Sequence, residues 1–231
     1  MTALISAELL RLRTLRVTRY VVVGMLGLAV MLAVFSPSGP RSALVDSVRS
    51  VTFTFVMAAA FIAATQLGTE FKRGAAALTY LTHPNRGAVA TARVLTYGLI
   101  GALVAVLAAI VALAAGVVVT HLQATPTYIG AVAFAGVMGG AAFGGAVLGG
   151  FGALVGTLTR EPILATVVVV VPSLIAGPLT AVSPYLPFGL AEQLLGGADK
   201  VAAPVAMMLL LVYLAVTALC VRRWALPRDL P

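Results

Sequence analysis

Ionisable side chains are scarce in this chain of 231 residues. Charged residues make up 10% of it and hydrophobic residues 61%, whereas a soluble domain typically carries roughly 25% and 45–50%. So little polar surface could not cover a soluble core, and the low charge and high hydrophobicity also exclude a disordered chain. The composition therefore predicts an all-α polytopic membrane protein.

The residue types that carry site chemistry are also few. Cys220 is the single cysteine, so no intramolecular disulfide can form. No histidine, cysteine or acidic cluster has metal-ligand spacing, and the serines and threonines lack a buried base. A phosphate-binding loop needs G-x-x-x-x-G-K-[ST], and neither Lys72 nor Lys200 stands in that pattern. We therefore predict no catalytic residue, no metal and no cofactor in this chain, which is not expected to be an enzyme.

Long apolar runs divide the chain into candidate membrane spans. A spanning helix needs about 20 apolar residues. The sequence predicts one transmembrane domain over residues 1–231, with six spans at about 17–35, 51–67, 89–120, 128–158, 163–180 and 203–221. Pro162, just after the turn at Glu161, suits the first turn of the fifth helix, where its missing N–H is no loss.

The cations indicate the orientation. If the N-terminus is cytoplasmic, 12 of the 15 lysines and arginines lie inside, and Arg41, Arg49 and Lys200 lie outside. This predicts that both termini are cytoplasmic, and it explains the net charge of +8 without nucleic acid. Residues 3–16 combine apolar residues such as Leu9, Leu12 and Leu15 with several arginines, which favours a helix along the inner leaflet; a plain basic tail is the other interpretation.

Residues 68–88 form the inner loop between the second and third spans. The run Ala75–Leu81 has good helix propensity, and Thr82-His83-Pro84-Asn85 predicts a turn. A short helix flanked by charges on the membrane face would suit the docking of a soluble protein. A solvated connector is the alternative.

The loop combines Glu70, Gly74 and Arg93 with the run Leu81-Thr82-His83-Pro84-Asn85-Arg86. This pattern resembles the first cytoplasmic loop of ABC exporter permeases of the ABC-2 type. In that family an acidic residue begins the loop, a glycine follows, and a P-x-R-like element precedes the third span. Residues 154–160 are similar to the family's second inner turn, and residues 183–189 to its Pro-rich outer element.

The resemblance implies that residues 68–88 are a coupling loop, docked in a groove of a separate ABC ATPase subunit that binds ATP and Mg²⁺. The docking residues would be Glu70, Arg73, Leu78, Leu81, His83, Pro84 and Arg86. The basic N-terminal helix would make a second contact. The chain would pair with a second copy or a homologous permease in the bacterial plasma membrane and export a hydrophobic or amphipathic cargo, such as a drug, peptide or lipid-like molecule. A non-transporting anchor or sensor subunit that docks a soluble partner through the same loop is the alternative.

Two helical faces have two interpretations each. Thr54, Met57, Phe61 and Thr65 share one face of the second span, which is either a cargo path or a stripe facing lipid or other helices. Gly145, Gly149, Gly152 and Gly156 share one face of the fourth span. Small residues allow close helix packing, so this face either packs within the subunit or slides. Residues 191–195 predict a short outer helix or a re-entrant hairpin.

Overall fold

A computed structural model describes residues 41–82, 85–122, 131–176, 183–196 and 201–225, together with Gly27 and Met31. These residues are almost entirely helical and contain no strand, which confirms the all-α prediction for this part of the chain. The predicted interfacial helix at 3–16 and, apart from Gly27 and Met31, the first predicted span at 17–35 lie outside the described residues.

The helices follow one another with short connections. Their bounds are α1 Arg41–Lys72, α2 Ala75–Thr82, α3 Arg86–Leu122, α4 Ala131–Thr159, α5 Pro162–Ala176, α6 Pro187–Leu194 and α7 Ala203–Cys220. A 3₁₀ turn at Ser183–Tyr185 precedes α6, and a π-helical turn at Val221–Ala225 extends α7.

Four of the described helices, α1, α3, α4 and α7, are long and apolar enough to cross a membrane. The chain is therefore described as a multi-pass membrane protein, and these helices correspond to the second, third, fourth and sixth predicted spans. Helix α5 begins at Pro162, as predicted, and has 15 residues. At 1.5 Å per residue it is about 22 Å long, less than the ~30 Å hydrocarbon core. The last part of the fifth predicted span, 177–180, lies outside the described residues.

Helix α1 is longer at both ends than its predicted span at 51–67. It begins at Arg41 and continues to Lys72, because backbone hydrogen bonding extends beyond the segment that hydropathy detects. Asp46 and Arg49 form an ion pair of 3.0 Å one turn apart in its polar first part. At its other end Gly74 adopts a φ of +72°, and the Gly74 amide donates to the Phe71 carbonyl at 3.1 Å. A left-handed glycine commonly ends a helix in this way. The predicted loop at 68–88 is thus largely helical.

Helix α4 packs against α1 and α3 through its glycines. A Cβ atom at Gly145 would lie 2.4 Å from the Gly101 carbonyl oxygen of α3, and one at Gly152 would lie 2.1 Å from the Ala60 carbonyl oxygen of α1. Gly149 and Gly156 have equally close backbone neighbours. No side chain fits at such distances, so the predicted glycine face packs within the subunit.

The segment between α5 and α7, which is predicted to be extracellular, contains the short helix α6. Its residues Pro187 to Ala191 are buried, and the Leu194 carbonyl oxygen lies against Gly140 of α4. The helix predicted near residues 191–195 is present, and it begins earlier and is packed into the bundle.

Candidate functional site

A buried ion pair joins α1 to α3 at the end where α2 connects them. The Nη2 atom of Arg93 donates to Oε2 of Glu70 at 3.0 Å, and the two side chains are 1% and 11% exposed. The residues stand 23 positions apart in sequence, near the end of α1 and the beginning of α3. Because a buried charge is costly unless it is paired, each residue fixes the position of the other.

Two aromatic rings lie beside the Arg93 guanidinium of this ion pair. The Arg93 guanidinium carbon lies 5.9 Å from the Phe71 ring centroid and 5.8 Å from that of Tyr80. Both rings are buried, in a small cluster with Ala76 and Val89. Cations are attracted to aromatic faces within about 6 Å, more strongly when both groups are desolvated. Helix α2 is thereby attached to α1 and α3 through Tyr80.

Two further arginines border the same rings. Arg160, in the α4–α5 turn, lies 5.5 Å from the Phe71 centroid, and Arg86 lies 5.9 Å from that of Tyr80. Arg160 has a φ of 56° and donates through Nη2 to the carbonyl oxygen of Ala225 in the π-helical turn. We call Glu70, Phe71, Tyr80, Arg86, Arg93 and Arg160 the arginine–aromatic cluster. It connects α1, α2 and α3, the α4–α5 turn and the end of α7.

The phenol of Tyr80 is held in its neutral form. Burial raises the pKa of Tyr80 above its usual value, and this effect outweighs the opposite influence of Arg93, Arg160 and Arg86. The neutral ring is therefore maintained well above physiological pH, and it contributes packing rather than charge.

Local features mark the beginning of α2 and the beginning of α3. Gly74 separates it from α1, and the side chain of Asn85 accepts a hydrogen bond of 3.1 Å from the Ala88 amide at the beginning of α3. Asparagine is a preferred N-cap residue. The predicted turn before Arg86 thus ends on a helix cap.

The predicted docking residues fall into three groups. Arg73 and Leu81 are on the surface, with Leu81 80% exposed. Glu70 and Arg86 belong to the arginine–aromatic cluster, so the Glu70 carboxylate contacts Arg93 of its own chain. Leu78 lies on α2, with its side chain outside the described residues; His83 and Pro84 lie outside them altogether.

The predicted cargo face lies on α1 and is partly open. Thr54 and Phe61 are exposed, and Met57 and Thr65 are half-buried. The Thr54 hydroxyl donates to the Ser50 carbonyl at 3.0 Å, and the Thr65 hydroxyl to that of Phe61 at 2.9 Å. With both hydroxyls bonded to their own helix, the face presents mainly apolar groups.

Sequence reasoning assigned no role to Phe71, Tyr80 or Arg160 in fixing the loop. One signal was available, since Arg93 lies within the predicted third span at 89–120, and an arginine inside a span requires a partner. Among the described residues no group of three histidines, cysteines or acidic residues is placed to hold a metal ion. No protein-family model matches the chain, and a search of curated proteins finds no match.

Proposed function

We propose that this chain is the permease subunit of an ATP-driven exporter of the ABC-2 type, with six spans and both termini cytoplasmic, in a bacterial plasma membrane. The observation that carries the proposal is the attachment of α2 to two membrane helices. Glu70 of α1 and Arg93 of α3 pair beneath Tyr80 of α2. A force applied to α2 would be transmitted to both helices, which is what coupling to an ATPase requires.

The outer surface of α2 suits a soluble partner. Ala76 and Tyr80 are buried, whereas Leu81 is exposed, and Lys72 and Arg73 are exposed just before the helix. An apolar side chain beside two cations is the surface that an ATPase groove with an apolar pocket and an acidic rim would bind. Within this proposal Glu70 positions α2, and Leu81 and Arg73 make the contact.

The cargo would be hydrophobic or amphipathic and would pass along the α1 face that contains Thr54 and Phe61. A second copy, or a homologous permease, would form the opposite wall. The support is the exposure of this face in the single chain together with the internal hydrogen bonds of its threonines.

The first test is copurification of the tagged chain with an ABC ATPase from its native membranes. We expect the ATPase to copurify with the wild type, and L81A or R73E to reduce both its recovery and the stimulation of ATP hydrolysis. L99A, at an exposed position of α3, is the matched control and should leave both unchanged. Failure of any ATPase to bind would overturn the proposal. A partner that binds without hydrolysing ATP would favour the anchor or sensor subunit instead.

The second test is the side of the membrane on which α2 lies. In a C220S background, R73C should react with a membrane-impermeant maleimide in inside-out vesicles and remain unlabelled in intact cells. Labelling in intact cells would place α2 outside and refute the docking of a cytoplasmic ATPase.

A further inference from the structure

A groove of about 940 Å³ lies between α3, α4 and α7 at the end where α3 begins and α7 stops. Its apolar wall is formed by one face of α3, by Leu154 of α4 and by one face of α7. The lining from α3 includes Ala90 and Val94, and that from α7 includes Leu211, Leu214, Ala215 and Ala218. Its volume lies within the range of about 300–1,000 Å³ that is typical of ligand sites.

The polar chemistry of this groove is concentrated at one end. Arg86, the first residue of α3, and Arg222, in the π-helical turn after α7, both line it. No acidic residue is among its lining residues in the described part of the chain. The Thr91 hydroxyl donates to the Gly87 carbonyl at 2.9 Å, so this side chain is satisfied within its helix. The groove is therefore cationic at one end and apolar along the rest of its wall.

We propose that this groove binds one anionic phospholipid, with the phosphate at Arg86 and Arg222 and an acyl chain along α3 and α7. Charge complementarity selects this occupant. The N-terminal segment carries four arginines between residues 11 and 19, which would be repelled by the two arginines of the groove. A second copy related by two-fold symmetry would bring the same cationic end against itself. A phospholipid matches both the charge at one end and the apolar wall, and clustered arginines attract anionic headgroups.

The bound headgroup would lie next to the arginine–aromatic cluster. Arg86 both lines the groove and lies over the Tyr80 ring. The lipid would thus contact a residue that borders the α2 attachment. This inference does not depend on the proposed function, because it concerns the chain and the bilayer alone.

The test is native mass spectrometry of the detergent-solubilised chain titrated with phosphatidylglycerol or with phosphatidylcholine of the same acyl chains. Phosphatidylglycerol should be retained preferentially. R222Q should weaken its binding about fivefold, as expected for the loss of one arginine near a headgroup. R223Q is the matched control, because Arg223 carries the same charge next in sequence without lining the groove. It should change the affinity less than twofold.

A second pair of variants tests the apolar part without altering charge. A215W fills the groove and should abolish lipid retention, whereas V216W, at an exposed position of the same helix that does not line the groove, should bind as the wild type does. Circular dichroism confirms that each variant is folded. The proposal would be overturned if the two lipids bound equally, or if R222Q and R223Q lost the same affinity for phosphatidylglycerol. It would also be overturned if A215W retained the lipid. Displacement of the lipid by glycerol phosphate alone, or a cross-link from A215C to residues 17–35 or to a second copy, would overturn it as well.

Discussion

The substitution E70A removes one partner of the buried ion pair and leaves the Arg93 guanidinium without its carboxylate. Arg93 is 1% exposed, so water cannot replace the lost partner. Breaking a buried pair in this way costs roughly 3–5 kcal/mol. The change also releases the end of α1 from α3 while leaving Phe71 and Tyr80 intact. We therefore expect E70A to be among the most destabilising single substitutions in the described part of the chain.

The assay is unfolding of the purified chain in mixed micelles by increasing SDS, followed by circular dichroism. D46A is the matched control, because it also removes the acid from an ion pair with an arginine, and the distance between the two groups is again 3.0 Å. Asp46 is 63% exposed, so its loss should cost less than about 1 kcal/mol. Replacing both charges in E70L/R93M should recover most of the stability, since an apolar pair of similar volume is often neutral or better. The reasoning is refuted if E70A costs no more than D46A, or if the double variant is no more stable than E70A.

Three further predictions concern neighbouring features. Subtracting the spectrum of Y80F from that of the wild type isolates the absorbance of Tyr80. Its tyrosinate band should appear only at a pH above 10.0, the ordinary pKa of tyrosine, because burial raises the pKa of Tyr80. As the pH rises above that value the unfolded chain ionises first, so stability should fall, and a normal titration would contradict the buried site. G145A should destabilise by about 1–3 kcal/mol through overpacking, whereas G139A, where a Cβ meets open space, should not; equal effects would exclude close packing of α3 on α4. G74A should cost about 1–2 kcal/mol, as expected for a left-handed alanine, and G74N less, since asparagine tolerates this conformation; no cost for alanine would argue against the helix end at Gly74.

The positions of three long helices could be predicted from the sequence, because a helix that spans a membrane needs an apolar run of about 20 residues. The spans near 89–120, 128–158 and 203–221 coincide closely with α3, α4 and α7. The ends of α1 could not be predicted in this way. A helix keeps its hydrogen bonds as it leaves the apolar region, and only local features such as the glycine at 74 stop it.

The interior of the candidate site was less predictable. Helix propensity indicated a short helix over Ala75–Leu81, and α2 spans Ala75–Thr82. The pairing of Glu70 with Arg93 depends on the two long helices running antiparallel, so that the end of one lies at the same depth as the beginning of the other. An acid and an arginine that flank a short connection at matching depth in two apolar helices are expected to pair, since each is costly alone.

This placement changes how mutations in the loop should be interpreted. Because Glu70 stabilises the junction of α1 and α3, its removal would displace α2 and weaken the binding of any partner, even one that never contacts the carboxylate. Loss of binding in E70A therefore cannot by itself identify a docking residue. Leu81 is the sharper probe, because its side chain is 80% exposed and its truncation removes surface without disturbing the cluster. A partner that docks on α2 should respond to L81A in a chain whose unfolding by SDS is unchanged.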